Sequence, residues 1–181
     1  MSQVSDRIAP LAVAFFRISL CAWVGGAALF VMTSVAEQTS PEFGSMIRDQ
    51  LATIRFPWYY AFGGISLAIA LISGVVARIC CHGCIRKRIT ASLVFTLISA
   101  LIAAVDYVAV YRPLQEQITP PGQARSQRFV ELHNQSRHIN ELHITLALIA
   151  AVLAVLPSKG ELMAGCELRI PAPSPDPEKR S

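Results

Sequence analysis

Four long apolar segments, separated by short polar stretches, set the pattern of this chain. They run from Ile18 to Val35, from Trp58 to Val76, from Ile89 to Val110 and from Ile139 to Leu156. Each comes close to the roughly 20 residues that an α-helix needs to cross a bilayer. The pattern predicts an all-α fold, an integral membrane four-helix bundle with short loops.

The predicted domain organisation is one membrane domain between two tails. The tails are residues 1–10 and the proline-rich, disordered residues 158–181, and the membrane domain is residues 11–157. Its four predicted spans lie at about 15–36, 57–78, 89–111 and 137–157. The end of the first span, residues 34–36, also resembles a signal-peptide cleavage site, but such a leader would be unusually long.

A short amphipathic helix is predicted between the first two spans, from Pro41 to Arg55. Its apolar residues recur at intervals of three and four: Phe43, Met46, Ile47, Leu51 and Ile54. This pattern is typical of a helix that lies on the membrane interface. Trp58, Tyr59 and Tyr60 follow it and indicate an aromatic belt at head-group level.

The composition and the placement of charge agree with a multi-pass membrane protein. The chain is 53% hydrophobic and 15% charged, whereas roughly a quarter of the residues are charged in soluble domains. Its net charge of +4 comes from basic residues that flank the spans, so the predicted partner is the lipid bilayer and not nucleic acid. Four basic residues between spans two and three predict that both termini are cytoplasmic: Arg78, Arg86, Lys87 and Arg88.

Small residues recur at helical spacing on the first two spans. They are Ser19, Ala22 and Gly26 on the first, and Gly64, Ala68 and Gly74 on the second. Such faces let neighbouring backbones approach closely in a membrane. They predict tight packing of these helices and also permit a homodimer.

Polar residues on the last two spans form the candidate functional site. Span three carries a polar stripe that ends at Asp106, and span four carries His133, Ser136, Asn140 and His143 on one broad face. Counting residues from the ends of the spans places Asp106, Asn140 and His143 at a similar depth. The expected partner of Asp106 is His143 or Arg137, in either a purely structural contact or a ligand-binding site.

Metal and cofactor sites have weaker support in the sequence. His133, His138 and His143 are five residues apart, so they cannot share one helix face. The first metal candidate is therefore a mixed site in which His133 and His143 join Asp106 or Glu37 across helices. A second, weak metal candidate is the juxtamembrane cluster Cys80, Cys81, His82 and Cys84, whose ligands are crowded into five residues. No cofactor and no catalytic residue is assigned, and no nucleotide-binding or hydrolase motif appears, which favours a protein that is not an enzyme.

Three segments carry short motifs. The sharpest is F-x-x-L-H-x-x-S-x-x-x-N, from Phe129 to Asn140, and the weaker ones are Trp23 to Gly26 with Phe30, and Tyr111 to Leu114. Together they resemble the transmembrane protein 205-like family, the domain of unknown function numbered 4149. The resemblance covers about residues 18–156 and implies a four-helix integral membrane protein without an established activity. Asn134 and the cysteine cluster depart from the family pattern.

Three hypotheses on function follow from the sequence. The first is a protein that binds or passes a small molecule, ion or lipid through a polar site between spans three and four. The second is a structural or scaffold protein in which the same polar residues only fasten the helices. The third is a membrane oxidoreductase that depends on a metal or a haem.

Overall fold

The computed structural model describes residues 2–157, with side chains from residue 8 onward, and all regular secondary structure in this range is helical. Its helices are α1 (Ser2–Thr39), α2 (Ser45–Cys80), α3 (Gly83–Asp106), α4 (Arg112–Gln117) and α5 (Gln127–Val155), with a π-helical turn at Tyr107–Tyr111 joining α3 to α4. Four helical segments are long and apolar enough to cross a membrane: Ile8–Thr39, Ser45–Cys80, Gly83–Gln117 and Gln127–Val155. The predicted all-α, four-span architecture is therefore confirmed for the described residues, and it indicates a multi-pass integral membrane protein.

The interfacial helix predicted between the first two spans is wrong as a separate element. α2 runs without a break from Ser45 to Cys80 and has Pro57 inside it, so the amphipathic segment is its first part. A proline inside a helix removes one backbone hydrogen bond, and its ring clashes with the carbonyl four residues earlier, so the segment before Pro57 needs other contacts to hold it in place. The segment is held by Asp49, which is 1% exposed and pairs with Arg125 in the connection between α4 and α5. This contact holds the segment against the bundle.

The helices also extend beyond most of the predicted span limits. α1 begins at Ser2, within the predicted N-terminal tail, and α5 begins ten residues before residue 137. At the start of α5 the Ser126 hydroxyl accepts a hydrogen bond from the Phe129 N–H at 3.0 Å, a side-chain N-cap. The predicted disordered tail, residues 158–181, lies outside the described residues.

The core forms where α1 packs along α2 and α3 packs along α5. Close approach depends on small residues, because a Cβ added to Gly63 would lie 2.6 Å from the Trp23 ring and one added to Gly26 would lie 2.5 Å from Phe62. The predicted packing role of Gly26 agrees with this contact, and that of Gly74 agrees with an added Cβ lying 2.7 Å from Leu93, whereas one added to Gly64 has nothing within 4 Å. Since Ser19 is buried and Gly26 contacts α2 of its own chain, a homodimer stays a prediction.

Helix direction divides the bundle into two ends, which we call distal and proximal. The distal end carries the connections at residues 40–44 and 118–126, and the proximal end carries the connection at residues 81–82. At the proximal end Arg17 donates to the Ala154 carbonyl at 2.7 Å, and Arg88 donates to the Leu153 carbonyl at 2.7 Å and to the Leu156 carbonyl. Cations at the last carbonyls of α5 stabilise that helix terminus.

Candidate functional site

A buried polar cluster joins three helices at the end of α3. Asp106, the last residue of α3, is fully buried, and its Oδ2 accepts hydrogen bonds from Tyr60 Oη at 2.6 Å and from Asn140 Nδ2 at 3.3 Å. Tyr60 lies on α2 and Asn140 on α5. No basic side chain of the described chain forms an ion pair with Asp106.

Asn140 is the centre of this cluster. Its Nδ2 donates to the carbonyl and the hydroxyl of Ser136, at 2.8 and 3.1 Å, as well as to Asp106. Its Oδ1 accepts from Tyr59 Oη at 3.0 Å and lies 3.0 Å from His143 Nε2. An amide oxygen only accepts, so this orientation of Asn140 assigns the hydrogen to Nε2 and leaves Nδ1 of a neutral His143 as an acceptor.

His143 stacks on Trp23 of α1 in the core of the bundle. The two rings are 5.8 Å apart and nearly parallel, at 12°, and the residues are 1% and 2% exposed. Nδ1 of His143, Nε1 of Trp23 and Oδ1 of Asp106 are buried and have no hydrogen-bond partner in the part of the chain whose side chains are described, residues 8–157. A buried polar atom without a partner costs about 1–3 kcal/mol, so each of these atoms calls for an explanation.

Four of the five predicted site residues meet in the cluster, and His133 does not. Asp106, Ser136, Asn140 and His143 are joined by hydrogen bonds through Asn140, so Asp106 and His143 are linked by its amide and not directly. His133 instead stacks on Phe129, with ring centroids 5.8 Å apart. His133 lies seven residues before Asn140, a distance of about 10 Å along the helix. It is therefore on the same face of α5 as Asn140 but at a different depth in the bundle.

Arg137, the other expected partner of Asp106, lies outside the cluster. Its side chain is 60% exposed, and its Nε is 3.9 Å from Glu141 on the same helix. An exposed pair of this kind contributes little to stability. His143, through Asn140, is thus the predicted partner that shares a hydrogen-bond network with Asp106.

Sequence analysis missed three members of the site, Trp23, Tyr59 and Tyr60. It placed both tyrosines in a head-group belt, but Tyr59 is 7% exposed whereas Trp58 is 75% exposed. A signal was present, because Tyr59 shares its helix face with buried residues of α2 at intervals of three and four: Gly63, Ser66, Ala70, Gly74 and Ala77. A buried tyrosine hydroxyl normally finds a partner, and here the partners are Asn140 and Asp106.

A groove between α2 and α3 leads to this cluster. Its volume is about 530 Å³, and small residues account for much of its lining: Ala61, Gly63, Gly64, Ala68, Ala100, Ala103 and Ala104. Trp23, Tyr59, Tyr60 and His143 line it as well. Ala61, Gly64 and Ala104 are exposed on the outer face of the bundle, so the groove opens on the surface that would face lipid.

The weak metal candidates do not assemble into a metal site. Among the described side chains, those of residues 8–157, no three His, Cys, Asp or Glu residues are close enough together to hold a metal ion, and this includes Cys80, Cys81, His82 and Cys84. The thiols of Cys21, Cys80, Cys81 and Cys84 are free. Burial, followed by the neighbouring Cys80, raises the pKa of the Cys81 thiol above its usual range.

The residues that carry the family resemblance divide between two places. Ser136 and Asn140 lie in the polar cluster, whereas Phe129 and His133 line a separate cavity at the distal end. Comparison with protein-family models, curated proteins and solved structures finds no match to this chain.

Proposed function

We propose that this membrane protein binds a small lipophilic molecule with a hydrogen-bonding group, in the groove between α2 and α3. One observation carries the proposal: the groove reaches Trp23 and His143, and each has a buried polar atom without a partner in the described chain. Sequence analysis expected a polar site between spans three and four. The proposed site includes residues of that polar cluster and adds residues of α2. We also propose that the chain is related to the transmembrane protein 205-like family. Because that family has no established activity, the relation does not indicate a substrate.

The chemistry of the two unpartnered atoms defines the ligand. Trp23 Nε1 donates only, and His143 Nδ1 accepts while Nε2 donates to Asn140. A head group with one acceptor and one donor, such as a hydroxyl, would satisfy both atoms. The volume of about 530 Å³ falls in the usual range for small-molecule sites, roughly 300–1,000 Å³.

Binding is tested by filling the groove at its open position. Gly64 lines the groove with nothing within 4 Å of an added Cβ, so the first atom of a leucine side chain fits there and the rest of the side chain takes up space in the groove. We expect wild-type protein purified in mild detergent to retain a lipophilic molecule that Gly64→Leu loses. Solvent extraction and mass spectrometry of equal amounts of both proteins measure this.

The matched control is Gly25→Leu, since Gly25 is exposed on α1, also has nothing within 4 Å of an added Cβ, and is not part of the groove. It should retain the molecule in full. Identical extracts from wild type, Gly64→Leu and Gly25→Leu would refute binding in this groove.

A scaffold role is the second candidate, because the hydrogen bonds of Tyr59, Tyr60, Asp106 and Asn140 tie α2, α3 and α5 together. His143→Phe separates the two functions, since it keeps a ring against Trp23 and removes both nitrogens. Ligand binding predicts that this variant loses the extracted molecule. A pure scaffold predicts a change in thermal stability alone.

We further propose that both termini face the cytoplasm, on the strength of the basic proximal end. An impermeant maleimide should label Cys84 only after cells are opened, since Cys84 is exposed beside Arg86, Lys87 and Arg88. Cys81 should react more slowly, because burial raises its pKa and thiolate is the reactive form. Loss of the label in Cys84→Ser would show that the label is on Cys84. Full labelling of Cys84 in intact cells would contradict the proposed topology.

A further inference from the structure

A second cavity, separate from the groove, lies at the distal end. It has a volume of about 320 Å³ and is bounded by α1, by the first part of α2 and by the segment from α4 to α5. An aromatic layer separates it from the polar cluster: Tyr111 lies 4.5 Å from Tyr60 and 5.8 Å from Phe56, between ring centroids. The cavity therefore has its own lining and its own chemistry.

Three arginines and two acids line this cavity. Asp49 is almost fully buried, pairs with Arg125 and accepts the Gly122 N–H at 2.9 Å. Arg55 pairs with Glu37 and donates to Thr33 Oγ1 at 2.6 Å. Both acids are thus already engaged by an arginine, and the lining carries one net positive charge.

Arg48 is the arginine without an acidic partner in the described chain. Its Nη2 donates to the Ser40 carbonyl at 2.9 Å, and its Nε is buried and has no partner among the side chains described, those of residues 8–157. Arg48 as a whole is half-buried, and its enclosed Nε favours a bound anion, because a charged group's donor without an acceptor in a poorly solvated site is costly.

Tyr111 supplies a second unpartnered group in the same cavity. The residue is 5% exposed, and its Oη is buried without a partner in the described chain. The rest of the lining around Tyr111 is largely apolar, with Phe30, Leu114 and Ile118 among its members. The cavity therefore combines polar donors with a wall suited to a hydrocarbon chain.

We propose that the distal cavity binds the acidic group of an amphipathic anion, a carboxylate or phosphate carried on an apolar chain. Arg48 Nε and Tyr111 Oη donate to the acidic group, and the apolar wall takes the start of the chain. A cation is disfavoured because both acids are paired. A neutral head group would leave the charge of Arg48 uncompensated.

The test uses the full-length protein in a neutral detergent and a fluorescent fatty carboxylate, dansylaminoundecanoate, as the probe. We expect saturable binding that weakens about tenfold in Arg48→Gln and in Tyr111→Phe, as befits the loss of one hydrogen bond to a charged group. Ala52→Phe, which fills the cavity with an apolar ring, should also abolish binding. Arg112→Gln is the matched control, since Arg112 is exposed beside Tyr111 and does not line the cavity.

Competition separates the two sources of the anion. If only oleate displaces the probe, the natural anion is assigned as a carboxylate, and if only lysophosphatidate does, it is assigned as a phosphate. Displacement by both ligands supports a site that accepts either acidic group. Equal displacement by neutral dodecanol, or unchanged binding in Arg48→Gln, Tyr111→Phe and Ala52→Phe, would overturn the proposal. Gly64→Leu should bind the probe normally, so failure here is distinguishable from failure of the groove.

Discussion

Replacing Asn140 with leucine is expected to destabilise the protein by about 3 kcal/mol. The substitution removes the partner of Tyr59 Oη and of His143 Nε2, and one of the two donors to Asp106. Each buried polar group left unpaired costs roughly 1–3 kcal/mol, although single contacts in membranes average only about 0.6 kcal/mol. The melting temperature of purified protein should fall by about 6–12 °C.

Ser136→Ala is the control for this effect. The Ser136 hydroxyl accepts one bond from Asn140, whose Nδ2 would keep the Ser136 carbonyl and Asp106 as acceptors. Its melting temperature should therefore stay within about 3 °C of wild type. If Asn140→Leu were as stable as Ser136→Ala, Asn140 would not be the centre of the cluster.

Gly63→Leu is expected to have an effect of similar size, through packing and not through hydrogen bonds. A Cβ at Gly63 would lie 2.6 Å from Trp23, a ring that is 2% exposed and stacked on His143. Overpacking a core costs about 1–3 kcal/mol and occasionally more. Because the clash moves Trp23, we expect lower thermal stability together with loss of the ligand from the groove.

Gly64→Leu provides the neighbouring control, with the same change one residue along α2. It meets open space, so its thermal stability should remain close to that of ligand-free wild type. Equal destabilisation by the two substitutions would indicate a general effect of leucine in this part of α2 and would contradict the contact between Gly63 and Trp23.

The fold was largely predictable because a single physical effect determines it. Backbone polar groups in hydrocarbon must be paired within a helix, so long apolar segments predict spans directly. The first and last residues of the helices were less predictable, since a polar helical segment continues beyond the apolar span when contacts with other segments stabilise it. α2 is the example: it extends to Ser45 because buried Asp49 pairs with Arg125, a contact between positions far apart in the sequence.

The candidate site was predictable in part. Helical periodicity and depth identified Asp106, Asn140 and His143, since both follow from geometry within single helices. The contributions of Tyr59 and Tyr60 depend on how α2 is rotated against α3 and α5, which hydropathy does not report. Their type was misleading too, because tyrosine is also the residue typical of the membrane interface.

The distal cavity could not be predicted from the sequence either, because it too depends on how separate segments pack together. Its charged residues come from α1, from the start of α2 and from the connection before α5, and each alone is a normal feature of a loop region. Only the packing of these segments shows which arginines are paired. Of the three that line the cavity, Arg48 alone forms no ion pair with an acidic side chain of the described chain.

The central claim, that the groove between α2 and α3 admits a lipophilic molecule, is tested most directly at Trp23. The chain has two tryptophans, so Trp58→Phe leaves Trp23 as the only one, and Trp23 lines the groove. In bilayers of brominated phospholipid, the emission of Trp23 should be quenched in this background and with Gly25→Leu, and markedly less with Gly64→Leu. Equal quenching in all three proteins would contradict the account.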